Sequence, residues 1–291
     1  MSQALIEIEQ LSHSYERTRV VEKLSARVEA GDVVGLIGRN GSGKTTLLET
    51  LAGLLRPDSG ASRLLGCDST ALDDATRQQL GFVFQNDELF DWMTVEAHLA
   101  MSAELYQAWD SDRVKSWVER WRIPTSTRTG KLSRGQRQLV SIILAIGHRP
   151  RVLLLDEPAS ALDPVVRREV LTELVDLAAD ENRAMILSSH QITDIERVAN
   201  RIWLMRDAKL LIDESLDTLK EDLVLLTSKG PEAPTLPEDC FPIVVHRDGD
   251  THAIVARRSE LGHLDAFGPG FGPAVDIRPL NLEQISLEFL R

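Results

Sequence analysis

The segment GRNGSGKT at residues 38–45 narrows the possible folds of this 291-residue chain more than any other part of it. It fits the pattern GxxxxGK[ST], in which glycines let backbone N–H groups converge on phosphate oxygens. An apolar run at residues 32–37 precedes it and predicts a buried strand, and a helical pattern at residues 45–55 follows. The order strand, loop, helix predicts an α/β protein with a phosphate-binding loop. The alternative is a glycine-rich turn that only caps a helix.

Two side chains of this loop have predicted roles in nucleotide binding. Lys44 would reach the β- and γ-phosphates, and the hydroxyl of Thr45 would bind magnesium. Mg²⁺ is expected to arrive with ATP, because it binds proteins through few carboxylates together with phosphate oxygens. The nucleotide-contacting residues expected in and beside the loop are Gly38, Arg39, Asn40, Gly41, Ser42, Gly43, Lys44, Thr45 and Thr46.

Two adjacent acids follow a second apolar run, VLLL at residues 152–155. A fully apolar run of this length is typical of a central strand buried on both faces, and ligands of open α/β sheets bind at the carboxyl ends of such strands. Asp156 is therefore expected to hold magnesium through water, and Glu157 to orient or deprotonate an attacking water. A helix start also favours acids, so this pair alone is weak evidence for a catalytic site. Together with the phosphate-binding loop it becomes strong evidence.

The formal net charge of −12 argues against a chain that mainly binds nucleic acid, because such proteins usually carry a basic surface. The N-terminal residues lack the basic and apolar regions of a signal peptide, and no stretch of 18 apolar residues is present. The sequence therefore predicts a cytoplasmic protein. If the protein works at a membrane, another subunit is expected to hold it there.

Further motifs, in the expected order, resemble the ABC ATPase family. They are an aromatic residue before the loop, the segment GFVFQ, the signature-like LSRGQ at residues 132–136, the segment SALD at residues 160–163, and SSHQ. Each has an ordinary alternative when taken alone: an edge-strand aromatic, a surface glutamine or a core histidine. The residues that carry the resemblance, beyond the loop and the acid pair, are Tyr15, Gln85, Ser133, Gly135, Gln136, Asp163 and His190.

The resemblance implies a role for each of these residues. Tyr15 would stack on adenine, Gln85 would sense magnesium and the γ-phosphate, and His190 would touch the γ-phosphate. The signature residues would approach the γ-phosphate bound to an opposite subunit, and the segment that contains Asp163 would cross to that subunit. Arg134 departs from the family, which usually has a second glycine at this position.

The same resemblance implies an assembly. Two nucleotide-binding subunits, expected to be identical, would enclose two Mg²⁺-ATP, and a helix of a separate membrane permease would bind near Gln85 and residues 86–94. Phe90 and Trp92 suit such a groove. The alternative is a non-transport ABC ATPase of cofactor assembly or signalling, whereas a phosphate-loop kinase or GTPase would leave the signature segment unexplained.

The expected fold is a P-loop NTPase α/β core, with a mixed sheet wrapped by helices, a helical subdomain insertion and a small C-terminal α+β appendage. Residues 1–215 would form the ABC ATPase domain, with the helical subdomain at about 87–136 and its four tryptophans as a small core. Residues 216–291 would form the accessory domain, including a hairpin at residues 241–256. The final residues, NLEQISLEFL, resemble the C-terminal element of ATPase subunits from bacterial export systems and favour an exporter over an importer.

Overall fold

The computed structural model describes residues 4–230, 233–234, 236, 240, 242–261 and 275–290. The chain divides into two units, Met1–Asp213 and Glu214–Arg291. Within the described residues, no helix has both the length and the apolar character needed to cross a membrane.

Strands and helices alternate along most of the first unit. Its strands are β1 (Ala4–Tyr15), β2 (Thr18–Glu29), β3 (Val33–Gly38), β4 (Ser59–Leu64), β5 (Cys67–Asp68), β6 (Leu80–Val83), β7 (Val152–Leu155), β8 (Ala184–Ser188), β9 (Arg201–Arg206) and β10 (Lys209–Ser215), whose last two residues are counted with the second unit. Its helices are α1 (Lys44–Leu51), α2 (Asp74–Arg77), α3 (Val95–Leu105), α4 (Ser111–Arg120), α5 (Arg134–Ile146), α6 (Pro164–Ala178) and α7 (Ile192–Val198).

Two sheets carry these strands. A four-stranded sheet has the order β2-β1-β4-β5, and its β1–β2, β1–β4 and β4–β5 pairs are antiparallel. A six-stranded sheet has the order β10-β9-β3-β8-β7-β6, in which β9, β3, β8, β7 and β6 run parallel. This α/β architecture, with parallel and antiparallel strands and helices between them, confirms the predicted fold class.

The parallel sheet is buried because its strands are apolar on both faces. Every residue of β7 is at most 1% exposed, and all five residues of β8 are buried. Burial of each such Val or Leu side chain contributes about 1.5–3 kcal/mol. The sheet therefore provides a rigid base for the loops at its carboxyl edge.

Three helices, α3, α4 and α5, lie within or next to the predicted helical subdomain. Trp117 and Trp121 are buried and their rings stack with centroids 6.1 Å apart, as expected of a small core. The prediction was wrong for Trp92, which is 70% exposed, because it lies in a loop before α3 rather than on a helix.

The second unit contains a four-stranded antiparallel sheet of order β12-β13-β11-β14, followed by a helix. Its elements are α8 (Leu216–Asp222), β11 (Leu223–Lys229), β12 (Val244–Asp248), β13 (Thr251–Arg257), β14 (Val275–Pro279) and α9 (Leu282–Leu290). The expected hairpin is present as β12 and β13, although Phe241 lies outside the described residues. Asn281 accepts a hydrogen bond from the N–H of Gln284 at 2.8 Å, which caps the start of α9 as expected.

Candidate active site

Most of the predicted catalytic and phosphate-binding residues follow the carboxyl ends of four parallel strands. The loop at residues 39–43 follows β3, Gln85 lies two residues after β6, Asp156 and Glu157 follow β7, and His190 lies two residues after β8. Because parallel strands end at one edge of a sheet, these residues meet there. Most of them, together with Tyr15, surround a cleft of about 450 Å³, whereas His190 is not part of its lining and contacts the cleft residue Glu157.

The cleft is lined by ten of the predicted residues and by Val20. The predicted ones are Tyr15, Asn40, Gly41, Gly43, Lys44, Thr45, Thr46, Gln85, Asp156 and Glu157. Tyr15 is 48% exposed and makes an edge contact with the ring of His13, with centroids 4.9 Å apart. Its ring is therefore accessible to a ligand.

The loop geometry requires glycine at residue 43. Gly43 has φ +99°, in the left-handed region, and a Cβ atom there would lie 2.0 Å from the carbonyl oxygen of Val20. Gly43 is also the N-cap of α1 and brings no side-chain acceptor, so no side chain caps the first turn of that helix. Backbone N–H groups at this end are thus left for a ligand, and the helix dipole favours an anion.

Lys44 is 92% buried beneath the loop, where Nζ donates hydrogen bonds to the carbonyl oxygens of Gly38 at 2.8 Å and Arg39 at 3.2 Å. Burial lowers the pKa of Lys44, and the negative charges of Glu157 and Asp156 partly oppose this effect. An added phosphate would supply further negative charge and favour the charged ammonium group.

Asp156 is 99% buried, and both of its carboxylate oxygens accept hydrogen bonds. The hydroxyl of Thr45 donates to Oδ2 at 2.6 Å, and the hydroxyl of Ser188 donates to Oδ1 at 2.6 Å. Ser188 also accepts a hydrogen bond from the backbone N–H of Glu157 at 2.8 Å. The serine therefore joins the two adjacent acids.

Glu157 has φ +51°, which is an unfavourable backbone conformation for a residue with a side chain. Its carboxylate Oε2 lies 2.7 Å from Nδ1 of His190, and Gln138 donates a hydrogen bond from Nε2 to its carbonyl oxygen at 2.8 Å. His190 is half exposed at the rim, whereas the side chain of Glu157 is only 9% exposed. The histidine holds the carboxylate at the edge of the cleft.

The signature-like residues and Asp163 do not line this cleft in the described part of the chain. Ser133 is instead the N-cap of α5, where Oγ accepts from the N–H of Gln136 at 3.2 Å while Gln136 Oε1 accepts from the N–H of Ser133. Asp163 similarly caps α6 by accepting from the N–H groups of Val165 and Val166. Gly135 packs against the loop that precedes Asp163, because a Cβ atom added at Gly135 would lie 3.0 Å from the carbonyl oxygen of Ala161.

Sequence reasoning missed two residues that contact the acid pair, Ser188 and Gln138. Ser188 is the last residue of β8, and its place at the carboxyl end of a parallel strand was a usable signal. Gln138 is 93% buried near the start of α5, and only its polarity within an otherwise apolar helix face indicates a role.

Comparison with known proteins agrees with this geometry. A family model described as ABC transporter matches residues 21–160. The ABC transporter ATP-binding protein YtrB of Bacillus subtilis (strain 168) is 31% identical over 220 residues, which cover 76% of this chain and 75% of YtrB. The probable sulfate/thiosulfate import ATP-binding protein CysA of Chlorella vulgaris is 34% identical over 209 residues, covering 70% of this chain and 88% of CysA.

A further relative matches nearly the whole chain. The bacitracin transport ATP-binding protein BcrA of Bacillus licheniformis is 28% identical over 294 residues, covering 98% of this chain and 95% of BcrA. A solved ATP-binding subunit of an ABC transporter is similar in structure, with a TM-score of 0.69 and 27% identity over 74% of this chain and 92% of its own. This chain therefore belongs to the family of ABC transporter ATP-binding proteins, and it is an ATPase.

Proposed function

We propose that this chain is the ATP-hydrolysing subunit of an export-type ABC transporter, and that it works as a homodimer around two Mg²⁺-ATP. The observation that carries this proposal is the convergence of Lys44, Asp156 and Glu157 on one cleft beside an open helix start. These groups supply a phosphate-binding cation, an oxygen ligand and a carboxylate base within one site.

The cleft fits ATP and magnesium. Gly43 holds the loop in its conformation, because a Cβ atom there would collide with the carbonyl oxygen of Val20, whereas a Cβ atom at Gly41 would meet nothing within 4 Å and so leaves open space beside the loop. Thr45 and Asp156 present hard oxygen atoms 2.6 Å apart, the donor type that Mg²⁺ prefers. Gln85 lines the same cleft and could add a further oxygen ligand. When bound, Mg²⁺ would neutralise charge on the phosphate oxygens.

Glu157 is the proposed base that orients or deprotonates the attacking water. Its carboxylate lies at the mouth of the cleft and is held by His190, which would also contact the γ-phosphate. Tyr15 would stack on adenine through its accessible ring. Reach is the first requirement of a general base, and the position of Glu157 in the lining of the cleft supports this role.

A second subunit would complete the site. The signature-like residues Ser133, Gly135 and Gln136, together with Asp163, lie outside the cleft of their own subunit and at exposed helix starts. They would therefore serve the nucleotide of the opposite subunit. ATP would draw the two subunits together, and hydrolysis would release them.

The first unit also has a largely apolar groove of about 460 Å³, which is our proposed binding site for a helix of a separate membrane permease. Tyr106 and His148 stack in its wall with ring centroids 3.8 Å apart. Leu89 lines the groove, and the next residue, Phe90, is 50% exposed beside Trp92 at a centroid distance of 5.9 Å. A permease bound here would hold the chain on the cytoplasmic face of the membrane.

The final residues, NLEQISLEFL, resemble the C-terminal element of bacterial export subunits and support export. The match to BcrA, a protein named for bacitracin transport, extends over the second unit, whereas the match to CysA, a protein named for import, covers only 70% of the chain. We propose that Met1–Asp213 is the ATPase domain and that Glu214–Arg291 is an accessory domain of export-type subunits.

The test uses tagged Glu157→Gln protein, which should bind ATP without hydrolysing it and so trap the closed complex. Pull-down from solubilised membranes with Mg²⁺-ATP should recover a polytopic membrane protein with two copies of this chain. Trp92→Ala in the same background should lose the membrane protein but keep the ATP-dependent dimer. Lys44→Ala should lose ATP binding.

Three results would each contradict a part of the proposal. Multiple-turnover hydrolysis by Glu157→Gln would remove the general-base role. Recovery of soluble partners alone would favour a non-transport ABC ATPase. Uptake of substrate by the reconstituted complex, rather than extrusion, would contradict export only.

A further inference from the structure

Gln138 connects the helix that begins at the signature-like segment to the proposed catalytic acid of the same subunit. Its side chain is 93% buried and uses both ends of its amide. Nε2 donates to the carbonyl oxygen of Glu157 at 2.8 Å, and Oε1 accepts from the N–H of Ala161 at 2.8 Å. Nε2 also lies 3.4 Å from the hydroxyl of Ser160. One side chain therefore fixes both sides of the loop that follows β7.

The backbone of Glu157 needs such support. Its φ of +51° is unfavourable for glutamate, and a conformation of this kind persists only where surrounding contacts determine it. Ser188 accepts from the N–H group, and Gln138 donates to the carbonyl group. The N–H of Glu157 is thus bound by a residue of β8, and its carbonyl oxygen is bound by a residue of α5. Loss of either contact would let the backbone relax and move the carboxylate.

The helix that carries Gln138 is rigid. Helix α5 has 13 residues, and most of its inward side chains are buried in the first unit. Its N-cap, Ser133, lies five residues before Gln138, which is about 7.5 Å along a helix axis. A shift of the signature-like end of this helix would therefore also shift the amide that holds Glu157.

We propose that Gln138 is a positioning residue that sets the carboxylate of Glu157 according to the position of α5. This inference rests on the proposed composite site, in which Ser133 contacts the nucleotide of the opposite subunit. In that arrangement one rigid helix contacts the nucleotide of one site and orients the base of the other. Closure at one ATP thereby completes the geometry for hydrolysis of the second.

The test compares two substitutions of nearly the same size in the full-length chain. Gln138→Met removes both hydrogen bonds, whereas Gln138→Glu keeps an acceptor for the Ala161 N–H and removes the donor to Glu157. Because a misplacement of about 1 Å can cost about 100-fold in rate, both variants should lower kcat by about 10- to 100-fold. The Kd for ATP should change by less than about twofold, since neither substitution removes a contact of the phosphate-binding loop at residues 38–45. Rates are expressed per ATP-binding site, which removes any effect of unfolded protein.

The matched control is Ser141→Ala on the same helix. The hydroxyl of Ser141 is buried and has no hydrogen-bond partner among the residues that the structure describes, so its removal should leave kcat unchanged. Gln138→Met should also add little to the defect of Glu157→Gln, because residues that act through one another give non-additive losses.

Each outcome decides the proposal. Normal kcat in Gln138→Glu would overturn it, because the contact with Glu157 would then be dispensable. Parallel loss of kcat and ATP binding would also overturn it, because the role would then be only structural. Multiplicative losses in the double variant would show that Gln138 acts independently of Glu157. Retained turnover in the single variant Glu157→Gln would contradict the general-base assignment of the proposed function. The kcat values of the Gln138 variants would then still decide whether the contact of Gln138 with Glu157 is needed for turnover.

Discussion

Replacing Ser188 with alanine would remove the side chain that forms hydrogen bonds with both adjacent acids of the cleft. The serine is fully buried, donates to Asp156 Oδ1 at 2.6 Å and accepts from the N–H of Glu157 at 2.8 Å. The variant keeps the hydrogen bond from Thr45 to Asp156 Oδ2, so the carboxylate loses one of two partners. The N–H of Glu157 loses its serine partner in a buried position.

The expected loss of stability follows from these two contacts. An unpaired buried N–H costs about 1–3 kcal/mol, and a hydrogen bond to a charged group contributes about 1.5–3 kcal/mol. Because one side chain makes both contacts, we expect a combined loss of about 3–5 kcal/mol in the free energy of unfolding. For a unit of this size, Tm should fall by about 6–20 °C.

Scanning calorimetry without nucleotide measures this directly, with ATPase rate as a second observable. The control is Ser62→Ala, since Ser62 is only 3% exposed and lies on a strand of the same unit, and its hydroxyl has no partner within the described parts of the chain. Its Tm should be unchanged or slightly higher. If Ser188→Ala melts within about 2 °C of the parent, the two hydrogen bonds do not stabilise the fold as reasoned.

Three further substitutions test other parts of the first unit. Gly43→Ala should weaken ATP binding by more than about tenfold, because a Cβ would lie 2.0 Å from a carbonyl oxygen at φ +99°; a titration with unchanged Kd would contradict this. Glu173→Gln should lower Tm by about 2–8 °C, because the carboxylate is 9% exposed and pairs with two partly exposed arginines of α4, so that about 1–2 kcal/mol is lost. Arg134→Ala should change Tm by less than about 2 °C, because the side chain of Arg134 is exposed and makes no hydrogen bond or ion pair within the described residues. Any effect on the ATP-dependent dimer of Glu157→Gln would then arise at the interface.

The sequence predicted the parallel sheet well because its strands are short, apolar and bounded by turns. The apolar runs at residues 152–155 and 184–187 predict β7 and β8 to within one residue at either end. The apolar pattern at residues 5–8 predicts only the first part of β1, since the second half of this strand is rich in polar residues and contains register shifts against β2. The strands β11 and β14 of the second unit were not predicted, and only the tight hairpin between β12 and β13 had a strong local signal.

The residues around the cleft were predictable where they belong to a contiguous motif. Lys44, Thr45 and Asp156 could be predicted because each directly follows or belongs to a recognisable strand or loop, which places its side chain at the carboxyl edge of the sheet. Gln138 and Ser188 could not, because their roles depend on the left-handed backbone of Glu157, which no local pattern encodes. Such strain becomes visible only when the contacts that hold it are known.

The helix caps explain how the signature-like segment can stabilise its own subunit and still serve another. A serine hydroxyl has one donor and two acceptor positions. Capping α5 uses one acceptor of Ser133, for the N–H of Gln136, and leaves the O–H donor free to reach a phosphate oxygen. Asp163 differs, because as a carboxylate it can only accept, and one of its oxygens already caps α6. In the proposed dimer, Ser133 would therefore donate to the opposite nucleotide, whereas Asp163 would accept from N–H or O–H groups of the opposite subunit.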